Sequence, residues 1–144
     1  MQARRGPSCA IILLHRFQDG LGDSRRHDPR QLRQLLAGLR RAGVALVSLD
    51  KALEYCMPVA PILPQLAVCF TVDDGYADFE RVAWPIFKEF DCPASLFVVP
   101  TMVEQRDWFW WDKVDFILRA ARKPQVSVPL GEKRLDLRWH DEVS

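Results

Sequence analysis

The sequence predicts an α/β protein with a parallel sheet, and three observations lead to this fold class. Apolar runs of strand length alternate with segments of helical periodicity along residues 9–121. These runs are continuous, which is typical of parallel strands buried on both faces. Hydrophobic residues make up 49% of the 144 residues, enough to build a packed core. We therefore expect one folded domain over residues 1–144.

The first strand and the first helix follow from residues 9–43. Residues 9–14 form a continuous apolar run of strand length. Asp28 offers an N-cap, Pro29 suits the first helical position, and Gly43 can end the helix. Four leucines have helical spacing and are expected to form its buried face: Leu32, Leu35, Leu36 and Leu39.

The central part of the chain predicts two more strands around a short helix. Residues 44–47 form the second strand, and Ser48 can cap a short helix that follows it. Residues 57–64 contain three prolines and require an extended connection. Residues 66–72 form the third apolar strand. A helix therefore separates these strands, as parallel pairing requires.

A helix and a fourth strand continue the alternation. Residues 79–90 carry six apolar side chains on one helical face. Pro85 lies inside this pattern, so we expect a kink or a break near Trp84. Residues 94–99 predict the fourth strand.

The last third of the chain predicts a loop, a helix and a hairpin. Residues 101–107 are expected to form the loop and residues 108–121 the helix. Three side chains of that helix should face inward: Trp111, Val114 and Leu118. Two apolar runs, 126–130 and 133–137, flank a Gly-Glu turn signal and indicate a β-hairpin near the C-terminus.

Charge and cysteine content narrow the classes of partner. A net charge of +1 argues against nucleic acid as a partner. Residues 1–41 hold nine Arg and three Asp, which form either a solvated surface or a face that favours an anionic substrate. The four cysteines lack a Cys-x-x-Cys pair and fit a reducing compartment, although a disulfide stays open. Residues 9–14 are too short for a signal peptide, so we expect a cytoplasmic protein without a membrane span.

Asp73 and Asp74, at the end of the third strand, are the main candidates for a functional site. Catalytic groups of parallel α/β folds gather at the carboxyl ends of strands, and His15 follows the first strand. Gly75 permits a turn that would bring both carboxylates to one pocket, although Asp-Gly is also an ordinary turn signal. A divalent metal would relieve the repulsion between the acids, with one as ligand and the other as base.

The run FTVDDGYADF, residues 70–79, closely resembles the first signature of the polysaccharide deacetylases, the NodB-homology group of carbohydrate esterases. Residues 13–17, 42–49 and 92–98 are similar to neighbouring segments of that family, and residues 110–112 are similar to members with an inserted helix. The resemblance covers most of residues 10–120. It implies a partial distorted parallel (β/α) barrel of the glycoside hydrolase and deacetylase type.

The same resemblance implies a hydrolase that removes acetyl groups from an N-acetylated sugar. Asp73 would be the catalytic base and Asp74 a ligand to a divalent metal, usually zinc. His15, Tyr76 and Trp111 are candidate substrate-binding residues. Trp111 belongs to an aromatic cluster, residues 108–111, that either stacks on sugar rings or packs in a core.

The second family motif, His-x-x-x-His, is absent, because His15, His27 and His140 do not pair at that spacing. Zinc requires three protein ligands, so we expect these residues to be the N-terminal part of a deacetylase domain and to be inactive alone. His140 could replace a missing ligand, and His27 is expected at the surface. A His-x-x-x-His motif downstream in the reading frame would support this interpretation. A stop codon after Ser144 would favour the alternative, a non-catalytic carbohydrate-binding or interaction domain.

Phosphoryl transfer at the Asp-Asp pair is a weaker interpretation. It usually requires a different arrangement of aspartates and additional groups that hold the phosphate. No Gly-rich phosphate loop is visible in the sequence.

Overall fold

A computed structural model describes residues 6–20, 25–57, 64–105, 107–120 and 125–138. His140 and most of the proline-rich connection lie outside these residues. The chain divides into two compact units, Met1–Val103 and Glu104–Ser144. A single domain over residues 1–144 stays a prediction.

The first unit contains a four-stranded parallel sheet. Its strands are β1 (Ser8–Leu14), β2 (Ala45–Val47), β3 (Leu66–Val72) and β4 (Ala94–Leu96). β3 is central and pairs with β1 along its whole length. Along its other edge, β3 pairs first with β2 and then with β4. All three pairings are parallel, which confirms the predicted parallel sheet. The fourth strand is shorter than expected.

The helices of the first unit begin where the sequence predicts. α1 (Pro29–Arg41) starts after Asp28, whose side chain accepts a hydrogen bond from the backbone N–H of Arg30. α2 (Leu49–Glu54) starts after Ser48, whose hydroxyl accepts from the backbone N–H of Lys51. A further helix, α4 (Pro100–Gln105), replaces the loop predicted for residues 101–107, and that prediction was wrong. Pro100 explains the helix start, because its fixed φ suits the first turn of a helix.

A π-helical segment, Phe79–Ala83, leads directly into α3 (Trp84–Glu89). The backbone N–H of Trp84 donates to the carbonyl of Phe79, five residues earlier. Pro85 has no N–H for the carbonyl of Arg81, and its ring would crowd that carbonyl in a regular α-helix. The wider π turn accommodates the proline. The helix thus changes from π to α at Trp84, where the sequence predicted a kink or a break.

The core lies on both faces of the sheet but covers the two faces unequally. α1, α3 and the π-helical segment pack against one face. The fully buried side chains there include Phe17, Leu36, Phe70, Val72, Ile86 and Phe87. α2 packs on the opposite face through Ala52, against Val47, Ala67 and Cys69.

Two predictions about burial were wrong. Leu35 of α1 is 42% exposed, because the sheet contacts a narrower stripe of the helix than the spacing of the leucines suggested. Ile11 and Leu13 of β1 are 54% and 52% exposed, so β1 is not buried on both faces. The reason is that α2 packs near Cys9 and Ala67, at the beginning of β1 and β3.

The second unit contains α5 (Trp110–Ala120) and an antiparallel hairpin of β5 (Gln125–Leu130) and β6 (Lys133–Arg138). Gly131 turns the chain with φ 61°, and the predicted hairpin is confirmed. The inward orientation predicted for Trp111, Val114 and Leu118 was wrong, because they are 40%, 45% and 40% exposed. Apolar side chains lie on several sides of α5, so no single stripe is buried.

The four cysteines are free thiols. Burial raises the pKa of Cys92 to about 11, which keeps its thiol protonated and unreactive. Among the helices of the described residues, none combines the length and the apolar character needed to cross a membrane.

Candidate active site

β1 and β3 end level with each other and bring His15 beside Asp73. Leu14 pairs with Val72, and the backbone N–H of Asp73 donates to the carbonyl of Leu14 at 3.0 Å. Nε2 of His15 lies 4.0 Å from Oδ2 of Asp73. Both side chains are partly exposed, so solvent and a substrate can reach them.

The backbone turns sharply directly after Asp73. Asp74 and Gly75 both have left-handed conformations, with φ 72° and 74°. Glycine adopts this conformation without steric cost, whereas it costs energy at Asp74, even though Asp is one of the few other residues that adopt it. Gly75 is also tightly packed, since a Cβ there would lie 2.8 Å from Cγ1 of Val98. Two consecutive left-handed residues persist only where the surrounding structure supports them.

Among the residues that the structure describes, the Asp74 carboxylate has no partner that would explain its place in the turn. Within the described residues, its side chain makes no hydrogen bond and no ion pair. We predict that Asp74→Gly leaves the free energy of unfolding unchanged or raises it, whereas Asp74→Ala lowers it by about 1 kcal/mol. Urea denaturation of both variants measures this difference. A large loss of stability in Asp74→Gly would show that the carboxylate stabilises the fold.

An open pocket of about 500 Å³ lies at this edge of the sheet. Its lining combines the two carboxylates with apolar and hydroxyl side chains: Leu13, Thr71, Asp73, Asp74, Phe97, Val98 and Val99. Apolar walls with a few convergent polar groups are typical of small-molecule sites. The turn at Asp74 and Gly75 therefore brings both acids to one pocket.

Tyr76 lies beside an ion pair that the sequence did not indicate. The guanidinium carbon of Arg16 lies 3.6 Å from the centroid of the Tyr76 ring. Nε of Arg16 also donates to Oδ2 of Asp78 at 2.7 Å, and Asp78 is only 3% exposed. The sequence signal that could have indicated this ion pair was Asp78, an acidic residue directly before the apolar helical run that starts at Phe79.

Two other candidate residues, Trp111 and His27, are not among the described residues that line this pocket. Trp111 belongs to the second unit, where its ring stacks on that of Phe109 with the centroids 4.6 Å apart. Its role as a sugar contact stays a prediction. His27 is exposed, as predicted, and its ring lies 5.8 Å from that of Phe17. Neighbouring protein atoms displace water from the His27 ring and lower its pKa, and the nearby His15 lowers it further.

The described residues alone do not fit a zinc site. They contain no group of three or more His, Cys, Asp or Glu side chains placed to hold a metal ion. Zinc takes at least three protein ligands. Asp74 could be one ligand, but the remaining ligands do not occur among the described residues.

The chain is similar to solved structures of deacetylases. IcaB from Ammonifex degensii is 27% identical with a TM-score of 0.59, and the match covers 68% of this chain and 41% of that one. The deacetylase PplD from Streptococcus pyogenes, solved with acetate, is 19% identical with a TM-score of 0.53 over 69% and 45% of the two chains. A de-N-acetylase from Aggregatibacter actinomycetemcomitans is 19% identical with a TM-score of 0.54 over 88% and 44%.

The chain spans less than half the length of each of these structures. No family model and no curated protein matches the sequence. The solved structures nevertheless share its α/β fold with a parallel sheet. They confirm that the chain is similar to the polysaccharide deacetylases, the family that its Asp-Asp-Gly motif predicted.

Proposed function

We propose that this chain supplies the catalytic base and one metal ligand of a metal-dependent deacetylase that hydrolyses the amide bond of an N-acetylated sugar. The observation that supports this most is the placement of Asp73 and Asp74 on one open pocket at the carboxyl end of β3. The similarity to deacetylase structures supports the reaction class. We also propose that the parallel sheet is part of a distorted (β/α) barrel.

In this proposal, Asp73 takes a proton from the attacking water. Its backbone is fixed by the hydrogen bond to Leu14, while its side chain is 35% exposed and accessible to water. A general base requires this combination of fixed position and access to the reacting group. His15, 4.0 Å away, lies where it can interact with the carboxylate or with the substrate.

Asp74 is proposed as the metal ligand because its left-handed conformation places it on the same pocket, and its carboxylate has no partner among the described residues. When bound, a divalent metal such as zinc polarises the amide carbonyl and acidifies water. The other ligands would come from outside the described residues. Tyr76 and Trp111 are proposed as sugar contacts.

The absence of a three-ligand group among the described residues favours one alternative. The chain could be a non-catalytic carbohydrate-binding or interaction domain with the deacetylase fold. Its pocket would then bind a sugar without hydrolysis. The two functions differ in whether acetate is released.

An acetate-release assay with an N-acetylglucosamine oligomer and added zinc or cobalt tests the proposal. We expect the protein that the gene encodes to release acetate and to lose this activity when a chelator is added. We expect the 144 residues alone to stay at the level of a metal-only blank. Binding of the oligomer by the gene-encoded protein without acetate release would overturn the proposal and support the alternative. Turnover by the 144 residues alone would show that they contain a sufficient set of ligands.

A further inference from the structure

The loop that follows β1 packs along the beginning of the π-helical segment, Phe79–Ala83. Contacts at a constant spacing connect them: Arg16 with Asp78, Phe17 with Phe79, and Asp19 with Arg81. The first is an ion pair at 2.7 Å, the second a ring contact with centroids 6.4 Å apart, and the third an ion pair at 2.5 Å. The partners are offset by the same number of residues in each contact, so the loop and the helix run in register. Nη1 of Arg26, further along the same loop, also lies 3.9 Å from Oδ2 of Asp78.

The ion pair of Arg16 with Asp78 is the buried member of this set. Asp78 is 3% exposed and the Arg16 side chain is 25% exposed. Asp78 occupies the N-cap position of the π-helical segment, yet its side chain makes no capping hydrogen bond. Its Oδ1 has no hydrogen-bond partner among the described residues. Asp78 therefore has its carboxylate directed toward Arg16 and not toward the helix end it occupies.

A buried ion pair is weak evidence for stability, because removing two charges from water offsets much of their attraction. Such pairs are better explained where they fix one conformation. Here the guanidinium of Arg16 contacts both Tyr76 and Asp78. Both residues come shortly after the left-handed turn at Asp74 and Gly75. Arg16 also directly follows His15, which lies beside Asp73. One side chain thus connects the residues that follow β1 with the residues that follow β3.

We propose that Arg16 is a positioning residue for the two carboxylates. By holding Tyr76 and Asp78, it maintains the left-handed turn at Asp74 and Gly75, and this turn directs both acids to the pocket. The planar guanidinium can stack on Tyr76 and donate to Asp78 at once, whereas a lysine cannot do both. The consequence for catalysis rests on the proposed deacetylase function, but the effect on the turn does not.

Arg16→Lys and Asp78→Asn test this proposal, with Arg33→Lys as the matched control. Arg33 also donates through Nε to a carboxylate, Glu89 at 2.9 Å, but both side chains are about half exposed. The first measurement is the ¹⁵N-relaxation order parameters of the amides of Asp74 and Gly75. We expect them to fall from about 0.85 toward about 0.6 in Arg16→Lys and Asp78→Asn, and to stay unchanged in Arg33→Lys.

The second measurement is kcat and KM of the gene-encoded protein for acetate release. We expect kcat to fall about 10- to 100-fold in Arg16→Lys while KM changes less than about twofold, as for residues that orient a catalytic group. A general loss of structure would instead lower the active fraction in proportion to unfolding. If the unmodified protein releases no acetate, the proposed function fails, and the order parameters still decide the positioning role. Order parameters that stay at the wild-type value in both Arg16→Lys and Asp78→Asn would overturn the proposal. If Arg16→Lys does not fold, the order parameters of Asp78→Asn alone decide whether the proposal stands.

Discussion

Asp73→Asn is expected to lower kcat for acetate release by about 10²- to 10⁴-fold, the range that general acid–base groups contribute. Asparagine has the shape of aspartate but cannot accept the proton of the attacking water. The sheet uses the backbone N–H of Asp73, which donates to Leu14, and this contact does not depend on the carboxylate. The free energy of unfolding should therefore change by less than about 0.5 kcal/mol.

Kinetics of the gene-encoded protein and urea denaturation together check this expectation. Asp50→Asn provides the control, since Asp50 is an exposed residue in the first turn of α2 and does not line the pocket. The control should keep its acetate release near the wild-type value. Acetate release by Asp73→Asn within about threefold of wild type, far short of the expected loss, would mean that another group is the base, and His15 would be the next candidate because it lies 4.0 Å from Asp73.

Gly75→Ala should lower the free energy of unfolding by about 2–5 kcal/mol. One part, about 1–2 kcal/mol, comes from placing a Cβ at φ 74°. Another part, about 1–3 kcal/mol, comes from the contact of that Cβ with Cγ1 of Val98 at 2.8 Å. Val98 lies just beyond β4, so relief of the contact would displace the wall of the pocket as well.

Gly43→Ala separates the two causes. Gly43 has nearly the same conformation, φ 70°, but a Cβ there would have no atom within 4 Å. We expect it to cost only the conformational part, about 1–2 kcal/mol. Adding Val98→Ala to Gly75→Ala should recover the steric part, which a double-mutant cycle measures by urea denaturation. Equal losses of unfolding free energy in Gly75→Ala and Gly43→Ala would show that the close approach to Val98 does not affect stability.

The local features of the fold could be predicted because local chemistry determines them. Asp28 and Ser48 cap the helices that follow them, and Pro85 inside a helical pattern requires an irregular helix at that point. The parallel sheet followed from the alternation of strands and helices. The predicted turn at Asp74 and Gly75 followed from the glycine alone.

The features that were missed depend on contacts between distant segments. The prediction that β1 is buried on both faces was wrong. The position of α2, not the composition of β1, decides how much of one face of β1 is covered. The pair of Arg16 and Asp78 joins residues 62 positions apart, and no periodicity reports such a contact. The exposure of Leu35 depends on the width of the contact between α1 and the sheet.

The uncovered face of β1 has a consequence for the behaviour of the chain in solution. Ile11 and Leu13 present apolar side chains to water on a strand that, among the described residues, pairs only along the edge next to β3. A strand with a free edge and an apolar face is a template for self-association. We therefore expect the strand that leads to His15 to favour self-association, which the dependence of the sedimentation coefficient on concentration would measure. Ile11→Lys is expected to reduce this self-association, because a charged side chain on an edge strand opposes pairing with a second chain.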